Sequence, residues 1–290
     1  MNMFNSKLLV AGLLSASVLV GCGSDKSADK DSATVTEGSL TAALGALSGA
    51  TCDITNASGS TLETVTTGAD GSVSITIETV DSDFPLIVSC TGGSYFDEAN
   101  PDAAATTNTG TVKSIMPNLA TYTSTGGNLA VTTLTDLAVE LYNSLPAGDK
   151  TVETALASLD EIVRILAPSL GANGGGVNLL AAPTPVTAGD TVVPNTPAGI
   201  YASYLAGLAQ IAKDKGITPA ALGALLAGQV AAGNAIDADT VSNLVAKAVS
   251  FASAKGFTVT GTTGAGGAAV KPTPTGTGGT GGTGGTGGGN

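Results

Sequence analysis

The chain has 290 residues, with 11 lysines and arginines against 23 aspartates and glutamates, and contains neither histidine nor tryptophan. The absence of histidine excludes the Ser-His-Asp and Cys-His nucleophile pairs and His-ligated zinc. The net charge of −12 argues against the basic surface that nucleic-acid binding needs, so we expect no nucleic-acid partner.

Residues 1–21 read as an export signal peptide. Lys7 supplies a positive start, and the apolar run over 8–20 is too short to span a bilayer, which takes about 20 residues. The run ends Leu19-Val20-Gly21-Cys22, which resembles the lipobox of bacterial lipoproteins. That resemblance implies cleavage before Cys22, a diacylglyceryl group on its thiol and an acyl chain such as palmitate on its amine. An ordinary signal peptide with an incidental cysteine is the alternative.

The residues after Cys22 bear on localisation. Gly23 and Ser24 follow the cysteine, so the position directly after it is not an aspartate. By resemblance to enterobacterial sorting signals, this favours the outer membrane, at its periplasmic face or at the cell surface. The polar and charged stretch 22–37 is predicted to be a flexible tether.

Residues 38–132 are predicted to form an all-β domain, a sandwich of about seven strands. The short alternating runs are 50–54, 61–67, 72–78, 86–90, 111–116 and 129–132. Asp70-Gly71 predicts a hairpin between the second and third of these runs. Cys52 and Cys90 lie on the inward faces of two runs, which predicts a disulfide in an oxidising compartment. Two buried free thiols are the alternative.

Turn residues in this region carry a family resemblance. Gly49-Ala50-Thr51, Thr-Gly-Ala-Asp-Gly-Ser at 67–72 and Gly-Gly-Ser-Tyr at 92–95 resemble the carboxypeptidase regulatory-like, transthyretin-like domain of bacterial surface proteins. Residues 95–98 match the aromatic-Asp-Glu segment of many such lipoproteins, and 131–138 resemble the segment that opens their helical region, although threonine replaces the usual proline. The resemblance covers about 38–255. It implies no peptidase activity, because this domain accompanies the catalytic one.

From 133 the hydrophobic period changes from 2 to 3.6, so 133–260 is predicted to form an all-α domain of about five helices. A first helix over 134–145 ends at a proline, and the others have a cap, a proline or a glycine at their ends. The predicted N-caps are Thr151, Thr196, Thr218 and either Asp237 or Asp239. The Gly-rich and Pro-rich connection 171–195 is a wrapped or a mobile loop. The Gly/Thr-rich tail 261–290 is predicted to be disordered. The fold class is therefore α+β and multidomain.

Acidic and aromatic residues on predicted loops form the candidate ligand site, at what is expected to be one end of the sandwich. The set is Asp81, Asp83, Tyr95, Asp97, Glu98 and Asp102. Carboxylate and carbonyl oxygens suit Ca²⁺, but the EF-hand spacing is missing. Solvated surface charge is the alternative to this Ca²⁺ site, and the covalent lipid on Cys22 is the only other non-protein group expected. An exposed Tyr95 and Phe96 beside the acids would leave a small glycan or peptide site open.

Two further candidate sites lack features that their chemistry requires. Asp160 and Glu161 are neighbours on a predicted helix and diverge by about 100°, whereas glycoside hydrolysis needs two carboxyl groups that flank one cleft. Asn-Gly-Gly-Gly at 173–176 lacks the Lys-Ser/Thr signature of a phosphate loop. The single arginine, Arg164, is expected to pair with Glu161 or Asp160.

These observations predict a non-enzymatic protein. The expected function is a lipid-anchored structural, adhesion or interaction module of the bacterial cell envelope. Its expected partners are the membrane and other envelope or surface proteins. A glycan- or peptide-binding lipoprotein is the alternative, and an accessory hydrolase is the least favoured interpretation.

Overall fold

The computed structural model describes residues 32–99, 104–166, 178–184, 193–256, 259 and 267–274. All of them belong to one compact unit, 31–290. The predicted signal peptide, Cys22 and Asp102 lie outside the described residues, as do most of the connection 171–195 and most of the tail.

The N-terminal half of the described chain is rich in strands. They are β1 Thr34–Ala43, β2 Thr51–Thr55, β3 Thr61–Thr66, β4 Ser72–Thr79, β5 Leu86–Thr91, β6 Ser94–Tyr95, β7 Thr106–Thr107, β8 Thr111–Met116 and β9 Asn128–Thr132. Three strands form a sheet in the order β4-β1-β9, in which β1 runs antiparallel to β4 and parallel to β9. Four strands form an antiparallel sheet in the order β3-β2-β5-β8, and β6 pairs with β7.

The two larger sheets share a hydrophobic core. Side chains of a strand point to opposite faces in turn, so Ile75 and Ile77 of β4 are buried while Thr76 between them is exposed. Ile75 and Ile77 belong to the same hydrophobic cluster as Ile54 of β2 and Val88 of β5. The buried faces of the two sheets therefore line the same core.

The turn at Asp70-Gly71 joins these two sheets. β3 pairs with β2 and β4 pairs with β1, so the prediction of a hairpin is wrong. The turn itself forms, since the Ser72 amide donates to Asp70 Oδ1 at 3.0 Å and Gly71 has a φ of +78°. A Cβ at Gly71 would lie 2.5 Å from the Ala42 carbonyl oxygen. Turn chemistry predicts a chain reversal but not the sheet that the next strand joins.

β1 begins inside the stretch predicted to be a tether. Its residues 34–41 pair with 72–79 of β4. The first half of β1 is mostly exposed, and Val35 is 62% exposed. The alternating apolar signal is therefore weak there, and none of the predicted strand runs covers β1.

Six helices occur in the described residues. They are α1 Leu119–Ser124, α2 Thr133–Asn143, α3 Val152–Leu166, α4 Pro197–Asp214, α5 Pro219–Ala231 and α6 Ala238–Ala254. The predicted caps are confirmed, because Thr151, Thr196 and Thr218 each accept a backbone amide three residues ahead. Asp237, not Asp239, caps α6. Helix α1 was not predicted. The expected order of strands followed by helices, in a mixed α+β fold, is confirmed.

The helices are tied directly to the three-stranded sheet. Thr132 is the last residue of β9 and also the N-cap of α2. Its hydroxyl lies 2.7 Å from the hydroxyl of Tyr201 in α4. Tyr201 in turn donates to the Leu179 carbonyl at 3.1 Å, while the Ala130 amide of β9 donates to the Leu180 carbonyl. Among the described residues, no helix has both the length and the apolar character needed to cross a membrane.

Part of the predicted tail is folded onto the body. Gly267–Ala268 (β11) pairs with Ala235–Ile236 (β10), and the Val270 amide donates to Glu161 Oε1 at 2.6 Å. Ala269 is only 7% exposed. The prediction that all of 261–290 is disordered is therefore wrong over 267–274. Ala269 supplies the buried apolar side chain of this segment, while the Val270 side chain is 66% exposed and only its amide is engaged.

Candidate functional site

The two cysteines expected to pair do form a disulfide. Cys52 on β2 and Cys90 on β5 are directly opposed in the antiparallel ladder, with their Cα atoms 4.0 Å apart and their sulfurs bonded. Both side chains are fully buried. Alternation predicted that both sulfurs point inward, but it did not predict that β2 and β5 are neighbours.

The predicted acidic site is divided between the two ends of β5. Asp81 and Asp83 precede this strand, and Tyr95, Asp97 and Glu98 follow it. Six residues at about 3.3 Å per residue separate the two groups by about 17–20 Å. The expectation that the set lies at one end of the sandwich is therefore wrong.

The carboxylates before β5 have a structural explanation. Asp83 Oδ1 accepts from the Asn56 side-chain amide at 2.8 Å, and its Oδ2 accepts from the Val80 amide at 2.9 Å. Asp83 therefore joins two turns, while Asp81 is exposed. Within the described part of the chain, no group of three or more side chains is arranged to hold a metal ion.

The two aromatic residues after β5 differ in exposure. Tyr95 pairs with Thr106 in the β6–β7 ladder and is 1% exposed, so the expectation of an exposed Tyr95 is wrong. Burial, with a smaller effect from Asp97, raises the pKa of Tyr95 to about 12. Phe96 is 36% exposed. This loop thus presents one aromatic ring to solvent instead of the two that the sequence suggested.

Glu98 is the buried acid of this loop. It is 5% exposed, and its Oε2 atom has no hydrogen-bond partner. Burial raises the pKa of Glu98 to about 8, and repulsion from Asp97 adds to this, while the Gly45 amide opposes it. Gly45, with a φ of +81°, allows the loop to approach closely, because a Cβ there would lie 2.1 Å from the Phe96 carbonyl oxygen.

Glu98 forms part of the wall of a pocket of about 310 Å³, which we call the Glu98 pocket. The pocket lies between the loop after β6 and the helices α4 and α6. Its lining residues are Glu98, Ala99, Ala206, Gln210, Lys247, Ser250, Phe251, Ala254 and Lys255. Lys213 of α4 donates to the Ala99 carbonyl at 2.9 Å and so holds the loop against the helix. Sequence reasoning found Glu98 but missed the helical residues, which no local motif marks.

The polar rim of the Glu98 pocket is held by Asp214 of α4. Lys247 Nζ lies 2.7 Å from Asp214 Oδ2, and Gln210 Nε2 donates to Asp214 Oδ1 at 2.8 Å. Lys255 Nζ lies 5.7 Å from the centre of the Phe251 ring. The rim is therefore cationic on the α6 side and ordered by contacts between α4 and α6.

A second buried acid lies where α2 packs on β8. Asp136 is 8% exposed and its Oδ1 has no partner. Burial raises the pKa of Asp136 to about 7, with Lys113 opposing and Glu140 adding to the rise. Lys113 and Glu140 form an ion pair beside it. Sequence reasoning missed Asp136, because its helix is buried on almost every side and no local pattern marks one acid within it.

A groove of about 410 Å³ lies on the outer face of the four-stranded sheet. It is lined by Ser89 and Lys113 of the sheet, by Tyr142 of α2 and by Lys150. Lys150 Nζ lies 5.8 Å from the centre of the Tyr142 ring. Because Tyr142 is 5% exposed, the groove offers little aromatic surface for stacking.

Glu161 of α3 is buried and has a structural role. Arg164 donates to both oxygens of Glu161, at 2.6 and 2.7 Å, so the expected ion pair is confirmed with Glu161. Burial disfavours ionisation of Glu161, but Arg164 and the Val270 amide outweigh it and hold its pKa below the ordinary value. The amide from the tail could not be foreseen from the helix sequence.

Three glycines behind the family resemblance have backbone conformations that favour glycine. Gly49, Gly71 and Gly93 all have positive φ, and a Cβ at Gly93 would lie 2.5 Å from the Ser48 carbonyl oxygen. Comparison of the chain with protein-family models, with curated proteins and with solved structures gives no match. The resemblance to the carboxypeptidase regulatory-like domain therefore stays a prediction.

Proposed function

We propose that the chain is an exported, lipid-anchored protein of the bacterial cell envelope whose folded part is a non-catalytic interaction module. The observation that carries the proposal is the buried Cys52–Cys90 disulfide. Structural disulfides belong to oxidising compartments outside the cytosol. This agrees with the apolar run and the lipobox-like residues that end at Cys22, and the sorting residues after it favour the outer membrane.

The proposed module is a β-sandwich of the carboxypeptidase regulatory-like type, followed by a helical domain over 133–260. The sheets of three and four strands support this, since they give seven strands around one core. Glycines at turns with positive φ support it as well. In bacterial surface proteins such a domain accompanies other parts, which fits a role in assembly or adhesion.

Two of the candidate acidic side chains have structural roles, which supports a non-catalytic module. Asp83 joins two turns and Glu161 holds Arg164 and the tail. A glycan- or peptide-binding lipoprotein is the second candidate, and peptide is preferred. Tyr95 is buried and leaves Phe96 as the exposed ring of its loop, whereas sugar recognition usually uses aromatic faces.

Mass spectrometry of the membrane fraction tests the anchor. We expect an N-terminal peptide that begins at Cys22 and carries diacylglycerol and an amide-linked acyl chain. Cys22→Ser should abolish both the cleavage and the lipid. The matched control, Cys52→Ser with Cys90→Ser, should still be lipidated because it leaves the lipobox unchanged. An unmodified Cys22 thiol in the mature chain would contradict the proposal.

A further inference from the structure

The Glu98 pocket combines three features that structural packing alone does not require. A buried carboxyl in its wall has an oxygen without a partner. Two lysines, Lys247 and Lys255, lie on its rim. Its volume of about 310 Å³ is at the lower end of the range for small-molecule sites, about 300–1,000 Å³.

We propose that the Glu98 pocket binds a small organic carboxylate, which Lys247 and Lys255 attract and to which the carboxyl group of Glu98 donates a hydrogen bond. The inference goes beyond the proposed envelope role and does not depend on the lipid anchor.

The charges around the pocket favour an anion. Lys213, Lys247 and Lys255 come from the two helices that frame it, in a chain with only 11 basic residues against 23 acidic ones. The opposing acids are Asp97, beside Glu98, and Asp214, which is bonded to Lys247 and Gln210. A ligand carboxylate could accept a charge-assisted hydrogen bond from Lys247.

The protonation of Glu98 removes the objection that an acid should repel an anion. With a pKa of about 8, the carboxyl group is mainly neutral at pH 7 and can donate an O–H hydrogen bond. Its Oε2 atom is buried and has no hydrogen-bond partner. A ligand that accepts this bond would satisfy a buried polar group, and such groups are costly when left unpaired.

The remaining walls specify the rest of the ligand. Ala99, Ala206, Ala254 and Phe251 supply apolar surface, which suits a short uncharged body attached to the carboxylate. An N-acylated amino acid or the C-terminal residue of a peptide has this composition. N-acetyl-L-alanine is therefore an appropriate probe, and its methyl ester is a control without the charge.

A titration of the full chain in detergent, followed by ¹⁵N NMR, tests the inference. N-acetyl-L-alanine should produce saturable shifts at the amides of Ala99 and Ser250. The methyl ester should bind at least about tenfold more weakly, the effect of losing one charge-assisted hydrogen bond. Equal affinity for acid and ester, shifts located elsewhere, or no saturation across the millimolar range would overturn the proposal.

Variants separate the contributions. Lys247→Gln should weaken binding about tenfold, while the matched Lys150→Gln, in the outer groove, should leave it unchanged. Raising the pH above about 8 should release the probe from the unmodified chain but not from Glu98→Gln, which keeps a donor and cannot ionise. Equal effects of the two lysine variants would refute the site. If Glu98→Gln does not fold, the comparison of acid and ester still decides. Because the pocket does not depend on the lipid, Cys22→Ser should bind the probe as the unmodified chain does, so the pocket and the anchor are tested separately.

Discussion

Glu98 and Asp136 are buried carboxyl groups, each with one oxygen that makes no hydrogen bond. Ionising such a group inside the protein is unfavourable, because water no longer solvates the charge. Burial is the largest cause of both pKa shifts, to about 8 for Glu98 and about 7 for Asp136. The folded chain therefore holds protons that the unfolded chain releases.

The free energy of unfolding should consequently fall as pH rises from about 5 to 8. Between the ordinary pKa of 4.5 and the folded value of about 8, the folded state binds more protons through Glu98 than the unfolded state. The stabilisation that comes from protonated Glu98 is complete below pH 4.5. As the pH rises from there toward about 8, it is lost by up to about 1.4 kcal/mol per pH unit. Glu98→Gln should remove the contribution of Glu98 to the pH dependence of the unfolding free energy. Urea unfolding at several pH values measures this dependence.

Two comparisons make the pH result specific. Asp136→Asn should also reduce the slope, but only up to pH 7, the value near which its carboxyl titrates. Glu78→Gln, on the exposed face of β4, should leave the slope unchanged. A slope that is the same in Glu98→Gln and in Glu78→Gln would show that Glu98 is ionised in the folded protein.

Helices and strands differ in how much of them local sequence predicts. Thr218 followed by a proline is a complete start signal, since the hydroxyl accepts the Ala221 amide and proline has no amide to satisfy. A strand can be recognised from alternation, but its partner depends on residues far along the chain. For this reason the runs around Asp70-Gly71 were predicted correctly as strands and incorrectly as a hairpin.

The N-cap of α2 should matter more than the N-cap of α5. Thr132 and Thr218 both accept a backbone amide, but Thr132 is buried and also bonds to the Tyr201 hydroxyl. Thr218→Val should cost about 1 kcal/mol. Thr132→Val should cost about 2–3 kcal/mol, because a buried bond to Tyr201 is lost as well. Urea unfolding measures both, and equal losses would show that the Tyr201 contact contributes nothing.

At the scale of the whole molecule, strands and helices share one hydrophobic cluster. The change of hydrophobic period at residue 133 marks a change of secondary structure, while the contact between Thr132 and Tyr201 joins the two parts. The Glu98 pocket is likewise built from distant parts of the chain, since its walls come from a loop at 98–99 and from helices beyond 200. Only the acid on the loop could be named from the sequence, because assembly of the pocket depends on how α4 and α6 pack.

The C-terminal segment 267–274 should stabilise the whole fold, although the composition of the tail predicts disorder. Glu161 is 9% exposed and depends on both Arg164 and the Val270 amide, and β10 has β11 as its partner. A chain that ends at residue 266 should lose about 1–3 kcal/mol of unfolding free energy, because a buried carboxylate loses a hydrogen bond.

A chain that ends at residue 274 is the matched control and should unfold at the same urea concentration as the full chain. It keeps every contact that the described tail makes with α3 and β10. Val270→Pro in the full chain removes the donating amide and should reproduce most of the loss. If the chain ending at 266 is as stable as the chain ending at 274, then Glu161 is satisfied by Arg164 alone and the tail contributes no stability.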